Sequence, residues 1–179
     1  MEKRTDRRIA MTKRLLKESL TELLKQKDIY HISIRELCAG ADVNRTTFYK
    51  HYGSQFDLLA DMENDLLGFI KNTIEAHESR PDHIIRDVCR YLENDLEFTR
   101  LIINNNIDPA FPQKLFSLAP LKDVVFRKCE NKRLGETESE YLYNFIIYGS
   151  YRTICVWLNK DRRESPDKLA ELIIQRSSF

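Results

Sequence analysis

A chain of 179 residues with 42% apolar and 32% charged side chains can bury a substantial core and is too apolar for a disordered one. Five Gly and five Pro are too few for a turn-rich β fold, so an all-α chain of long helices is expected. The net charge of +1 hides an asymmetry: residues 1–52 carry 12 Lys/Arg against 7 Asp/Glu, and residues 53–179 carry 17 against 21. A basic first third on an acidic remainder suits a chain whose first part alone meets a polyanion.

Residues 6–27 read as the first helix, with Ile9, Leu16, Leu20 and Leu23 at helical spacing and Lys13, Lys17, Glu18 and Glu22 on the other faces. Lys3, Arg4, Arg7 and Arg8 form a basic arm ahead of it, suited either to solvent or to phosphate. Ser33 followed by Glu36 is a capping box and starts a second helix that stops near Gly40-Ala41. Asn44 then caps a third, short helix. Two short helices joined by a tight turn, the second opening on polar side chains, make a helix-turn-helix whose second helix enters the major groove of double-stranded DNA. Arg45, Thr46 and Thr47 occupy its first turn, where an Arg can meet guanine and a Thr methyl can meet thymine. Phe48 seats the helix on its own domain. Tyr49, Lys50, His51 and Tyr52 carry donors suited to phosphate, although Phe48 and Tyr52, four apart, also fit a pair packed inward.

The order Ile-Ser-Ile-Arg-Glu-Leu, Ala-Asp-Val-Asn-Arg-Thr-Thr-Phe-Tyr-Lys-His-Tyr and Ser-Gln-Phe-Asp-Leu-Leu over residues of about 9–60 resembles the DNA-binding domain of the TetR family of bacterial repressors. That resemblance implies DNA contacts from Ser33, Arg35, Arg45, Thr46, Thr47, Tyr49, Lys50, His51 and Tyr52. It also implies a homodimer on a palindromic operator and release by a small-molecule effector. The chain departs from the family pattern at Gln55, where a Lys usually binds phosphate, and at Lys27-Asp28, where many members have a Gly between the first two helices. Gln55 is the one feature that favours the other reading, a TetR-like co-regulator that binds a protein or small molecule with DNA binding weakened.

Residues 1–53 are thus expected to form a three-helix DNA-binding domain, and 54–179 a helical-bundle domain for effector binding and dimerisation. Ser54 caps a long fourth helix to about His77–Ser79, which joins the two; its 24–26 residues would span about 36–39 Å. Its inward stripe is Leu58, Leu59, Met62, Leu66, Phe69, Ile70 and Thr73. A helix over Ile84 to Phe98 follows, continued by Leu101 to Ile103 and closed by a turn at Asn104-Asn105-Asn106. Phe111 to Cys129 reads as two helical pieces bent at Pro120. Glu138 to Lys160 is apolar on nearly every face, as for a helix covered by its own core on one side and a partner subunit on the other. Ser165-Pro166 opens the last helix.

The run Tyr148-Gly149-Ser150, Trp157-Leu158 and Ser165-Pro166 is similar to the C-terminal domain of one TetR subgroup, in which the last two helices of each subunit form a four-helix dimer interface. Phe145, Gly149, Trp157, Leu169, Leu172 and Ile173 are its candidate interface residues. Tyr91, Phe98, Phe116, Phe126, Tyr148 and Tyr151 are candidates to line an effector pocket, each also compatible with plain core. Cys38, Cys89, Cys129 and Cys155 form no CxxC pair, as expected of buried thiols in a reduced cytoplasmic protein. Apolar runs fall short of the roughly 18 residues of a membrane span, so no membrane association is expected. His77, His83 and Cys89 match no metal spacing. The sequence holds no phosphate-binding glycine loop, nucleophile elbow or zinc motif, so no metal, no cofactor and no enzymatic activity are expected.

Overall fold

The structure, a computed structural model, describes residues 2–77, 80–103, 107–131 and 133–177. Among these the chain forms helices and no strand: α1 (Glu2–Leu24), a 3-10 turn (Ile29–His31), α2 (Ile34–Gly40), α3 (Arg45–Tyr49), α4 (Gln55–Ala76), α5 (Pro81–Asn94), α6 (Leu96–Ile103), α7 (Phe111–Phe116), α8 (Ala119–Asn131), α9 (Glu136–Leu158) and α10 (Pro166–Ser177). The chain is all-α, as its composition requires. It divides into two compact units, Met1–Leu66 and Leu67–Phe179, with the division inside α4. The expected end of the fourth helix at Ser79 and the expected turn at Asn104-Asn105-Asn106 lie outside the described residues.

In the first unit the buried stripe of α1 is Leu16, Leu20 and Leu24, at strict four-residue spacing. Ile9, expected on that stripe, is exposed, because the first turns of α1 run past the core. Leu37 and Cys38 of α2, Phe48 of α3 and Leu58, Leu59, Met62 and Leu66 of α4 close the core. Ser19 Oγ donates to the Leu37 carbonyl at 2.9 Å in the buried seam between α1 and α2. A Cβ at Gly40 would stand 2.5 Å from that same Oγ, so glycine is what lets the two helices approach. α2 ends at Gly40, with Ala41 as its C-cap, where the sequence places its stop. Asp42 takes the left-handed conformation (φ 51°), its N–H donates to the Ala39 carbonyl, and the Val43 N–H donates to the Cys38 carbonyl. This is a Schellman closure with aspartate in the position glycine usually fills.

In the second unit α10 packs on α5 and α9, α8 and α6 pack on α9, and α7 packs on α6. The expected helix from Ile84 to Phe98 is two helices instead. The chain breaks at Asp95, whose Oδ1 accepts the Phe98 N–H at 3.3 Å, so a side chain caps the restart at α6. Around Pro120 the break precedes the proline: α7 stops at Phe116 and Pro120 lies in the first turn of α8, where its missing N–H costs no intrahelical bond. α9 starts at Glu136 rather than Glu138, because Glu138 Oε2 reaches back to the Gly135 N–H at 2.9 Å. Its C-terminus is closed by Arg100 of α6, whose Nε donates to the Leu158 carbonyl at 2.5 Å.

Candidate nucleic-acid interface

The reading helix is set by two local caps. Ser33 Oγ accepts the Glu36 N–H at 3.2 Å while Glu36 Oε2 accepts the Ser33 N–H at 3.1 Å, so the capping box closes. Asn44 Oδ1 accepts the Thr46 N–H at 2.8 Å and starts α3 one residue later. With its start fixed, α3 buries Phe48 completely and leaves Arg45, Thr46, Tyr49 and Lys50 exposed. Thr47 and His51 are half-buried at the edges, and Arg35 is exposed on the first turn of α2. A short helix with one aromatic anchored inward and an Arg, a Thr, a Tyr and a Lys outward offers base-edge donors beside phosphate donors.

Two expected contacts look different in the structure, and the departure at Gln55 finds a partner. Tyr52 is buried, and its hydroxyl donates to Asp61 Oδ2 at 2.7 Å. It is therefore not a free phosphate donor: α3 ends at Tyr49, and the following turn rotates Tyr52 inward against Phe48, with ring centroids 5.7 Å apart. Ser33 is exposed, but its hydroxyl donates to Glu36 Oε2 at 2.7 Å, and a phosphate would have to take it from there. Gln55 Nε2 donates to the Ile29 carbonyl at 3.4 Å, so the side chain that replaces the family's Lys is directed at the 3-10 turn.

The Lys27 ammonium, 2.6 Å from Glu36 Oε1, is the main cause holding the Glu36 carboxyl down to about 2, followed by the Ser33 hydroxyl and amide. A depressed carboxylate stabilises the fold above its ordinary value of 4.5 and loses that contribution as pH falls toward about 2. Amide exchange at Ser33 and Glu36 is therefore expected to lose protection across that window. The Ser33→Ala protein should lack protection at the Glu36 amide already at neutral pH, with a stability cost of about 1 kcal/mol. Protection that stays flat with pH would show the box is dispensable.

In the second unit the candidate pocket residues separate into groups. Phe116 and Tyr151 meet edge to face with centroids 5.2 Å apart, Phe116 and Tyr148 at 4.4 Å, and Phe126 and Tyr143 at 6.0 Å. Phe116, Phe126, Tyr143 and Tyr151 belong to one cluster with Val125, Cys129 and Ile147. Tyr91 is elsewhere, stacked on Phe69 at 3.7 Å, and Phe98 on α6 is half-buried outside that cluster. Tyr148 is 49% exposed, so only part of it can line an interior.

The candidate interface residues separate as well. Phe145, Gly149 and Leu172 are exposed, whereas Trp157, Leu169 and Ile173 are buried within the protomer. Trp157 Nε1 donates to the Glu164 carbonyl at 2.8 Å, so its ring belongs to the core and not to a free face. Tyr141 and Val156, which the sequence reading missed, are exposed. Tyr141, Phe145, Tyr148 and Val156 recur at steps of four, three and eight residues, which places them on one side of α9. That side is exposed and mostly apolar, with the exposed Arg152 between Tyr148 and Val156.

Among the described residues no helix is long and apolar enough to cross a membrane, and no group of three or more His, Cys, Asp or Glu is arranged to hold a metal ion.

A capped helix pair with an exposed polar second helix, followed by an all-helical second unit, defines a helix-turn-helix transcriptional regulator. The TetR-type family described as "Transcriptional regulator C-terminal region" matches residues 79–177, more than half of the chain, and the chain belongs to the TetR family. Over 180 residues it is 26% identical to the HTH-type transcriptional regulator YxbF of Bacillus subtilis (strain 168). That match takes in 92% of this chain and 45% of YxbF, so the chain spans about half the length of this curated relative. Its fold is similar to that of a TetR transcriptional regulator from Streptococcus agalactiae 2603V, with TM-score 0.68 and 20% identity over the whole of both chains. It is also similar to that of Thermus thermophilus FadR, a TetR-family repressor in complex with lauroyl-CoA, with TM-score 0.57, 15% identity and coverage of 93% of this chain and 95% of that one.

Proposed function

We propose that the protein is a homodimeric, sequence-specific repressor that binds a near-palindromic operator through α3 and is released by a small-molecule effector. The observation that carries this reading is the two-sidedness of α3: Phe48 is fully buried while Arg45, Thr46, Tyr49 and Lys50 face outward behind an Asn44 cap. Residues 1–53 would then carry DNA binding, and 54–179 effector binding and dimerisation. The open side of α9, with Leu172 of α10, is the surface that pairs with a second copy. Dimerisation would set two reading helices about 34–36 Å apart, or a multiple of that, to match successive major grooves.

The ring cluster around Phe116, Phe126 and Tyr151 suits an apolar or aromatic effector, and an acyl-CoA ligand in FadR, a protein of similar fold, supports an apolar one. Such an effector shifts DNA affinity only by its preference for one state of the dimer over the other.

Selection of bound sequences from a random DNA pool, followed by gel shift on the winner, tests the reading. Binding should show dimer stoichiometry and fall steeply with salt as phosphate contacts are lost. In transcription from a promoter carrying the selected site, added protein should lower the output. No enrichment of any sequence would sink DNA reading, and a rise in output would sink repression. Arg45→Ala is expected to cost roughly 1–3 kcal/mol on the selected site and to relax preference at one base pair. Equal weakening on random DNA would show that Arg45 touches phosphate alone.

A further inference from the structure

Three elements of the first unit meet at one carboxylate oxygen. Asp61 Oδ2, on α4, accepts the Tyr52 hydroxyl at 2.7 Å. The same oxygen stands 2.8 Å from Lys17 Nζ and 3.6 Å from Lys13 Nζ of α1. Lys17 also reaches Asp65 Oδ2, one turn further along α4, at 2.5 Å. The Lys13 ammonium lies 5.4 Å from the centroid of the Tyr52 ring, within range of a cation–π contact. Tyr52 is three residues past the end of α3, and its buried ring touches Phe48, the residue that seats the helix.

Building on the DNA reading proposed above, we propose that Asp61 is a positioning residue for α3. Acting through the Tyr52 hydroxyl, it fixes the angle at which the reading helix meets the groove and so sets discrimination between base sequences.

The physical case is one of direction. α3 has five residues, too few for a helix to hold its own shape or orientation. The apolar contact of Phe48 keeps it on the domain, but hydrophobic attraction is non-directional and leaves the helix free to roll about that anchor. A charge-assisted hydrogen bond to a residue just past the helix end is short and directional and removes that freedom. Base readout depends on it, because an Arg fork or an amide meets a base edge only in a narrow range of angles, whereas phosphate contacts tolerate small rotations.

The ionisation states agree with the geometry. Burial, then the bond to Asp61, push the Tyr52 phenol up, so it stays protonated and remains a donor. Burial pushes the Asp61 carboxyl up too, but Lys17, Tyr52 and Lys13 outweigh it and hold it below the ordinary carboxylate value. The joint is thus made at neutral pH.

The test compares Tyr52→Phe, Asp61→Ala, Asp61→Asn and the double variant Tyr52→Phe/Asp61→Ala, in the full chain. Fluorescence anisotropy is read on the selected operator and on random DNA across a salt series, with circular dichroism to show each variant folded. Lys17 keeps Asp65 in every variant. Tyr52→Phe and Asp61→Ala should each lower the operator-to-random affinity ratio by roughly tenfold, the scale of one hydrogen bond to a charged group. Binding to random DNA and the salt slope should not change. Asp61→Asn, which keeps an acceptor for the phenol, should retain most of the ratio, and the double variant should be no worse than either single one.

Equal loss on operator and random DNA for Tyr52→Phe would overturn the proposal and make Tyr52 a phosphate contact. Loss of thermal stability with an unchanged ratio would overturn it in favour of a purely structural bond. If the wild-type protein binds its selected operator and the variants keep its ratio, positioning fails while DNA reading stands. If the wild-type protein selects no sequence, DNA reading falls first and the joint with it.

Discussion

Replacing Phe145 by glutamate is expected to yield a folded monomer whose operator affinity is lower by roughly 100-fold or more, the scale of avidity lost when one of two linked contacts goes. Phe145 is 66% exposed in the protomer, so the substitution removes little of the protomer's own core. Its ring lies between Tyr141 and Tyr148 on the open side of α9, where close packing of a second copy would bury it. A carboxylate there would have to shed water inside a packed contact of aromatic rings, a penalty of several kcal/mol that a standard interface does not withstand. Without the dimer each reading helix docks alone. Sedimentation equilibrium should show the monomer at concentrations where the wild-type protein is dimeric, and anisotropy should show the weaker binding with the circular dichroism unchanged. A Phe145→Glu protein that remains dimeric and binds the operator as the wild type does would place the interface elsewhere.

The first unit was largely legible in the sequence because the devices that build it are local. Ser33 with Glu36, and Asn44 with Thr46, act over two or three residues, so their spacing alone announces where α2 and α3 begin. The closing turn was less legible. Gly40 is the last residue of α2, but its glycine serves close packing against Ser19, and the left-handed residue is Asp42. Tyr52 was misread for a different reason. Helical spacing places it beside Phe48, and the same spacing fits an outward phosphate clamp. The deciding partner, Asp61, lies nine residues away on another helix, and no periodicity reports that.

The second unit was legible in outline and not in phase. α9 has apolar residues on nearly every face, so its pattern cannot say which side is core. Trp157 and Val156 are neighbours in sequence with opposite fates, one buried and one exposed. What separates them is the surroundings of α9: α6, α8 and α10 pack on it, and the side they leave open carries Tyr141, Phe145, Tyr148 and Val156. The aromatic candidates for an effector pocket gathered only in part, for the same reason. Composition names aromatic side chains but does not state which helices bring them together, and Tyr91 stacks on Phe69 rather than on the rings around Phe116. The break at Asp95 was invisible because a polar residue inside a helical pattern reads as a solvated face until its side chain is seen to cap the next helix.

Trp157 separates the two readings of α9 most sharply. Trp157→Ala is expected to cost about 3–5 kcal/mol of stability, the range for removing a fully buried large aromatic side chain. That is a large part of the 5–15 kcal/mol that holds a typical domain folded. The ring is 1% exposed. Its Nε1–H donates to the Glu164 carbonyl at 2.8 Å, and the Arg163 guanidinium lies 5.4 Å from its centroid. It therefore anchors the connection between α9 and α10, next to the point where Arg100 closes the end of α9. Trp157→Phe keeps much of the volume and gives up the hydrogen bond, so it should cost less, about 1 kcal/mol beyond the lost area. As the chain's single tryptophan, Trp157 also reports on itself. Its emission in the wild-type protein should be that of a buried ring at every protein concentration and should shift to that of a solvated one only with unfolding in urea. A ring in the subunit interface would behave otherwise: its emission would shift on dilution as dimers part, and the alanine variant would sediment as a monomer while keeping the wild-type denaturation midpoint. That pair of results would move Trp157 from the core to the interface, and with it the face of α9 that a second copy covers.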